Sequence, residues 1–343
     1  MAILRCALAT IALGWLLTVG NASGQTANAP AEKAPEFIIG SVLEPNINIP
    51  VLVAEDQGFF KKYDVPAIVK LFPSGADIVQ SIAGGSVEFG AIGGVPATIL
   101  ASKGSDVKVI ARLADISYAN GLGIAKNSTI KKPQDVMGKT VGVTNGTDSQ
   151  YMVRAFAKYW HIPVDSFKTV NLGPADQMNA LAQGSVQMVS VWEPFLGRLK
   201  ESGGMVVQTG TRSYWPGAEG PVNLVGVPGI LIGRERYLSK YPETIHNLLR
   251  ALSDATDWAR QHQEQAAAIA AKRLNVPQSA MLAVVKAGQI YFNFDKELVE
   301  ELSGQAEFLK QQGIIPKDFQ VTNWLAPQFM MKAFPSRVTY RSN

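Results

Sequence analysis

The residues best placed for chemistry lie in short loops that follow predicted strands and precede predicted helices. In an open parallel sheet such loops meet at one edge, and ligands bind there. Helix starts present free N–H groups and a partial positive charge, so several of them together form an anion site without arginine. The predicted ligand-binding residues in these loops are Glu44, Asn46, Ser74, Gly75, Gly93, Gly94, Val95, Gly146, Thr147, Asp148, Ser149, Trp192 and Glu193.

The glycines among these residues let a ligand approach the backbone closely, because they have no side chain. Trp192 follows a predicted strand and is placed to stack on a planar ligand. The acidic residues Glu44, Asp148 and Glu193 fit an anion site less well. Three roles are open for these acidic residues. They cap helices, they connect two halves of the protein that close on each other, or they accept hydrogen bonds from ligand donors such as amines. Residues of all these types are also common in turns and caps that bind nothing.

Catalytic and metal-binding motifs are not found. Gly138-Lys139-Thr140 looks like the end of a phosphate-binding loop, but Pro133 replaces the required glycine and a strand follows instead of a helix. There is no G-x-S-x-G sequence, and the three histidines are far apart, without metal-ligand spacing. We therefore predict no catalytic residue, no metal site and no cofactor.

The elements that position these loops occur twice. Pro73–Gly104 resembles Gly173–Gly203, and each segment has an Ala-Asp pair at the same distance before a Gly-Ser-Val. Similarity at a fixed offset indicates duplicated structural units. Two copies of one α/β unit predict two lobes with a groove between them; the alternative is chance similarity of two short segments.

Each copy has the pattern turn, helix, glycine, apolar strand and second helix, with Pro96 or Pro194 in the first turn of that helix. Strands and helices in series predict a parallel sheet covered by helices. Asn48 is predicted to cap a helix over 49–57, and Thr147 and Gln150 have capping-box spacing. Beyond residue 242 the chain is predicted to be helical.

The chain is predicted to cross between the lobes near 114–123 and to return after 213–222. Lobe one then comprises 36–118 and 223–343, and lobe two comprises 119–222.

The first 24 residues have the pattern of a secretory signal peptide. Arg5 is followed by the apolar run Cys6–Val19 and by small residues, with cleavage expected near 22–24. An uncleaved anchor is the alternative. The polar stretch 25–35 is predicted to be a disordered leader. Cys6 lies too early for a lipid-attachment cysteine, so we predict a periplasmic protein without a lipid anchor.

The charge of the mature chain excludes one class of partner. Without Arg5 the chain has 31 basic residues, one fewer than the 32 of the full sequence, against 28 acidic ones. This small excess forms no basic stripe, so nucleic acid is not a predicted partner.

Several motifs in order resemble the periplasmic substrate-binding proteins of ABC importers for nitrate, sulfonates and taurine, a family that shares its fold with thiamine-pyrimidine binders. The match extends from Phe37 to Lys272. It rests on Pro50–Phe60, Phe72–Gly75, Gly85–Phe89, Pro96, Pro133–Val141 and Gly184–Pro194. The resemblance implies a two-lobed α/β clamshell of type II. Each lobe would be a mostly parallel sheet flanked by helices, with two hinge crossings between the lobes.

Such a protein, expected to be a monomer, would close on one small molecule and deliver it to an inner-membrane permease. The loops of this family that contact the ligand match the predicted site residues. The first loop departs from the sulfonate pattern, because Glu44-Pro45-Asn46 stands where smaller or aromatic residues are usual.

The leading hypothesis is therefore an importer receptor for a small organic anion: a sulfonate, a taurine-like solute or an aromatic acid. The first alternative is a binder of a thiamine-precursor pyrimidine or another nitrogenous solute. The second is an enzyme resembling the pyrimidine synthase, although that family carries a cysteine-rich motif that the mature chain lacks. A receptor that signals to a membrane chemosensor is the third.

Overall fold

Two β-sheets flanked by helices organise the chain in a computed structural model, which describes residues 33–287 and 289–341. The predicted signal peptide and most of the predicted leader, through residue 32, lie outside the described residues. Among the helices described, none has both the length and the apolar character needed to cross a bilayer.

The strands fall into two groups along the chain. They are β1 (Phe37–Val42), β2 (Ala67–Phe72), β3 (Phe89–Gly93), β4 (Val107–Asp115), β5 (Asn120–Ile124), β6 (Thr140–Val143), β7 (Lys168–Asn171), β8 (Met188–Trp192), β9 (Met205–Thr209), β10 (Arg212–Ser213), β11 (Gly220–Pro221), β12 (Pro228–Arg234) and β13 (Ile290–Asn293).

The helices connect these strands or cover the sheets. They are α1 (Pro45–Asp56), α2 (Phe59–Lys62), α3 (Gly75–Ala83), α4 (Gly94–Ser102), α5 (Asp148–Tyr159), α6 (Pro174–Ala182), α7 (Phe195–Glu201), α8 (Glu235–Lys240), α9 (Pro242–Gln261), α10 (Gln263–Leu274), α11 (Gln278–Lys286), α12 (Lys296–Gln311) and α13 (Pro327–Ala333).

The sheet of lobe one has the order β13-β4-β12-β3-β1-β2, and that of lobe two has the order β11-β10-β9-β5-β8-β6-β7. In each sheet, the strand next to one edge pairs in parallel with both neighbours: β1 with β2 and β3, and β6 with β7 and β8. The next strand in the sheet order, β12 in lobe one and β5 in lobe two, is antiparallel to β3 and β8, respectively. The predicted duplication is therefore visible in the strand order.

The predicted two-lobed α/β fold class is confirmed, but the sheets are mixed rather than mostly parallel. The parallel strand pairs lie within β1–β3 and β6–β8, where helical crossovers provide the connections that parallel strands require. The strands β5 and β12 instead enter from the other lobe and pair antiparallel. Sequence alone did not show this, because it does not determine the direction in which a returning segment enters a sheet.

The two connections between the sheets run side by side. Ile116, which follows β4, donates its amide to the carbonyl of Val227 at 2.9 Å, and the Val227 amide donates to Ser117 Oγ at 2.9 Å. The predicted lobe boundaries at 118/119 and 222/223 fall in these connections and stay predictions.

Helix α1 begins four residues earlier than predicted. Its N-cap is Glu44, whose carboxylate accepts the Ile47 amide, and Pro45 occupies the first turn. Asn48 lies inside the helix instead of capping it. The prediction placed Pro50 in the first turn of the helix, because proline favours that position, but Pro50 lies in the helix interior. Here the acidic cap and Pro45 set the start.

Three other details also differ from the predictions. Strand β13 interrupts the region predicted to be helical, and it pairs antiparallel with β4. Pro194, after a cis peptide bond, is the N-cap of α7 instead of a first-turn residue. Thr147 caps α5 by accepting the Ser149 amide, whereas the side chain of Gln150 accepts the Gly146 amide, so the reciprocal box does not form.

Candidate functional site

A small cavity lies between the two lobes at the ends of their strands. Its volume is about 20 Å³, which is room for about one water molecule. The lobes are therefore closed on each other in this structure. The cavity is lined by Val42, Glu44, Ile47, Gly75, Gly93, Pro96, Ile116, Asn120, Thr147, Asp148 and Trp192.

Asp148 connects the two lobes through the start of α4. It is the first residue of α5 in lobe two, and its Oδ1 accepts the amide of Val95 in lobe one at 3.3 Å. A Cβ at Gly93 would lie 2.0 Å from Asp148 Oδ2, so only glycine leaves room for this carboxylate. Burial raises the pKa of Asp148 to about 7, because the charged form loses its hydration.

Glu44 is the second buried carboxyl group of the cavity. Its Oε1 accepts Asn46 Nδ2 and its Oε2 accepts the Ile47 amide, both at 2.8 Å. Tyr118 donates its hydroxyl to Asn46 Oδ1 at 2.8 Å, so the three side chains form a chain of hydrogen bonds. Burial raises the pKa of Glu44 to about 7 despite these bonds, and nearby Glu193 adds a smaller increase.

Trp192 provides another contact between the lobes. Its side chain is 4% exposed and lines the cavity, and its Nε1 donates to the carbonyl of Leu43 at 3.2 Å. Farther out, Tyr151 of α5 packs edge-on against Phe308 of α12, with ring centroids 4.7 Å apart. Closure thus combines polar contacts at the cavity with an aromatic contact between α5 and α12.

Two predicted residues serve chiefly as caps beside the cavity. Glu193 is partly buried, and its Oε2 accepts the Gly197 amide at 3.0 Å in the first turn of α7. Burial is the main cause that raises the pKa of Glu193. Ser74 caps α3 in a reciprocal capping box with Asp77.

The remaining predicted residues support the cavity wall from behind. Ser149 exchanges hydrogen bonds with Ser190 that tie α5 to β8, at 2.7 and 2.9 Å. Gly94 packs against the side chain of Gln305. Three further predicted residues form the hydrogen bonds already described: Asn46 with Glu44, Val95 with Asp148, and Gly146 with Gln150. Contact of any predicted residue with a ligand stays a prediction.

Sequence reasoning missed several lining residues. Val42 ends β1, and Pro96 and Ile47 belong to helices whose first turns face the cavity. Ile116 and Asn120 lie in the first crossing between the lobes. The sequence located that crossing, but its composition carries no signal for which side chains face the cleft.

The cavity is lined by two carboxyl groups, those of Glu44 and Asp148, and no lysine or arginine is among the lining residues. Within residues 33–287 and 289–341, no three acidic, histidine or cysteine side chains are grouped so as to hold a metal ion. The lining offers carboxylates, the Thr147 hydroxyl, the Asn120 amide and the Trp192 ring. Such a set can orient a small ligand by hydrogen bonds and apolar contacts.

Two similar lobes that close over a cleft, with two side-by-side connections, define the class of hinged two-lobed binding proteins. The chain belongs to the family described as NMT1/THI5 like, which matches residues 46–266.

The chain is 26% identical over 286 residues to the taurine-binding periplasmic protein of Escherichia coli (strain K12), covering 78% of this chain and 84% of the relative. The solved structure of the periplasmic aliphatic sulphonate binding protein SsuA from Escherichia coli superposes with a TM-score of 0.69 at 21% identity, covering 85% of this chain and 97% of that one. A shorter match, 30% identical over 124 residues, is to the 4-amino-5-hydroxymethyl-2-methylpyrimidine phosphate synthase of Legionella pneumophila. It covers 36% of this chain and 39% of the relative.

Proposed function

We propose that this protein is the solute-binding receptor of an ABC importer and that it binds a small organic acid of the sulfonate class between its lobes. The observation that carries the proposal is the cavity at which helix starts of both lobes meet, bridged by Asp148 and Trp192. The similarity to a taurine-binding periplasmic protein over most of both chains supports it.

Binding would proceed by hinge closure about the two connections. A ligand that contacts both lobes binds the closed form more tightly than the open one and thereby shifts the population toward closure. The closed cavity has room for about one water molecule. Solute entry therefore requires the lobes to separate, and the contacts of Asp148 and Trp192 break in that step.

The location and the partner belong to the same proposal. We infer export to the periplasm through the predicted signal peptide, function as a monomer, and release of the solute to an inner-membrane permease. Deletion of the gene tests this inference. Loss of growth on the solute as sole sulfur source supports an importer, whereas loss of chemotaxis with intact uptake supports the chemosensor alternative.

The direct test of the site is a binding screen of the mature protein by calorimetry. The panel contains taurine, short alkanesulfonates, nitrate, aromatic carboxylates and 4-amino-5-hydroxymethyl-2-methylpyrimidine. We expect a 1:1 complex with a member of the sulfonate group. Binding of the pyrimidine alone would support the second hypothesis, and binding of none would contradict a receptor for these solutes.

The enzyme alternative has narrower support. The synthase relative matches only 36% of this chain. The sequence contains a single cysteine, Cys6, in the predicted signal peptide, so the cysteine-rich motif of that family has no counterpart in the mature chain. Formation of the pyrimidine product by the purified protein would overturn the assignment as a receptor.

A further inference from the structure

The helix starts around the cleft are already occupied by acceptors of the chain itself. Glu44 accepts an amide of α1, Thr147 one of α5, and Glu193 one of α7. Ser74 does the same for α3. The start of α4 has no cap of its own, and the carboxylate of Asp148 from the other lobe fills it. At each of these helix starts, at least one amide that an incoming anion could use is therefore already engaged.

The same groups give the cleft an excess of acceptors. Asp148 is 6% exposed and Glu44 is 1% exposed, yet neither forms an ion pair with a lysine or arginine of the part of the chain that the structure describes. Asp148 accepts the Val95 amide through Oδ1, and its Oδ2 lies against Gly93 in the cavity wall. Buried carboxylates without a cationic partner are costly, because desolvation is not offset. A ligand with a positive charge supplies the missing partner.

We propose that the ligand presents a protonated nitrogen to Glu44 and Asp148, so that this site selects ammonium-bearing solutes over purely anionic ones. The inference rests on the proposed receptor function and narrows its substrate class. A zwitterionic aminosulfonate fits both the proposed receptor function and this inference, since it belongs to the sulfonate class and carries an ammonium group. A sulfonate without nitrogen would add negative charge to a cleft that has no cation in its lining.

A different role for Asp148 makes the opposite prediction. In that role, the Asp148 carboxylate occupies the start of α4 only until the anionic group of the ligand binds there. A sulfonate would then displace the carboxylate, and the ligand would need no amine to bind. Two probes of equal length separate these cases: taurine and isethionate, in which a hydroxyl replaces the ammonium group. Ethanolamine, which keeps the ammonium and lacks the sulfonate, completes the panel.

Calorimetry on the mature protein at pH 8 gives the first test. We expect taurine to bind at least about tenfold more tightly than isethionate, because an unpaired buried charge penalises the analogue. Equal or tighter binding of isethionate would overturn the inference and leave the receptor function supported. If none of the sulfonates or amines binds, the proposed function fails, and the inference fails with it.

The pH dependence of binding gives a second test that does not rely on a variant. The pKa values of Glu44 and Asp148 are raised to about 7 in the closed cleft, so both carboxyl groups ionise across neutral pH. Tyr118 and Glu193 face Glu44, and Tyr151 is the titratable group beside Asp148. Taurine, whose ammonium group stays charged, requires the ionised carboxylates. Its affinity is expected to fall by about tenfold between pH 8 and pH 6, with proton release on binding. An affinity that rises as the pH falls would overturn the inference.

Substitutions at the two carboxyl groups complete the test. Glu44→Gln and Asp148→Asn are each expected to weaken the binding of taurine at least about tenfold, while the affinity for isethionate is unchanged or higher. Glu243→Gln, which removes an exposed acid paired with Lys332, is the control and is expected to leave both affinities unchanged. If a folded Asp148→Asn variant instead lost the binding of both taurine and isethionate, Asp148 would act only in closure.

Discussion

The starts of α4 and α7 occupy equivalent places in the two lobes, yet they are satisfied in different ways. Each helix follows the last of the three parallel strands of its lobe, β3 or β8. The α7 start is capped by Glu193, which precedes it in the same loop. The α4 start has Gly93 and Gly94 and receives Asp148 from the other lobe. Of these two equivalent helix starts, that of α4 has been left open within its own lobe, and closure uses it.

The first helices of the two lobes, α1 and α5, explain where that carboxylate comes from. In α1 the acid is the N-cap residue, and Glu44 folds back onto its own helix. In α5 the N-cap is Thr147, and the acid is one position later. Because the hydroxyl already satisfies the helix, Asp148 is free to reach α4. One residue of offset converts a cap within a lobe into a bridge between lobes.

The largest effect is expected from blocking that bridge. In Gly93→Ala, the new Cβ would lie 2.0 Å from Asp148 Oδ2, which prevents the observed closure. Backbone strain is not expected, because Gly93 is in the extended region. We expect ligand affinity to fall by about thirtyfold, or about 2 kcal/mol, in calorimetry. The matched control is Gly197→Ala at α7, where only a flexible glutamate oxygen is close. Equal losses in both variants would contradict the asymmetry between the two helix starts.

Trp192→Ala removes the other contact between the lobes at the cavity. The indole lines the cavity and donates to the Leu43 carbonyl, so its loss affects both ligand contact and closure. We expect at least about tenfold weaker binding, or about 1.4 kcal/mol, with the fold retained in circular dichroism. Trp258→Ala, a position stacked on His262 in the helical region of lobe one, serves as a control for the loss of a large ring. Unchanged affinity in the Trp192 variant would remove this residue from the site.

The closed form without ligand is expected to depend on pH. Its Asp148 has a pKa raised from 3.8 to about 7, so closure is favoured while this carboxyl group is protonated. The contribution of protonated Asp148 to the stability of the closed form is complete below about pH 4 and is lost as the pH rises through 7. Small-angle scattering is expected to show a larger radius of gyration at pH 8.5 than at pH 5.5. In Asp148→Asn this difference should shrink. A radius independent of pH in the unsubstituted protein would exclude Asp148 as the titrating bridge.

The smallest effect is expected at the capped helix start of lobe two. Glu193→Ala removes the acceptor for the Gly197 amide. The free energy of unfolding is expected to fall by about 1 kcal/mol in urea denaturation, as for other lost caps. Ligand affinity should change less than in Gly93→Ala, because α7 does not take part in the bridge. A greater loss of affinity at Glu193 than at Gly93 would reverse the proposed roles of the two helix starts.

The sequence by itself determined the duplicated α/β units, the positions of most strands and the loops in which the candidate site lies. These features depend on local patterns: apolar periodicity, glycine and proline at turns, and polar residues before helices. Family motifs such as Val191-Trp192-Glu193-Pro194 have fixed spacing and could therefore be read directly.

Only the tertiary structure decided how the two lobes meet. The directions of β5 and β12, the contact of Asp148 with α4, and the burial of Glu44 depend on residues far apart in the chain. The early start of α1 was hidden by Pro50, and the charge of the cleft followed from which side chains closure buries. Packing between distant segments sets these features, and local sequence patterns do not encode it.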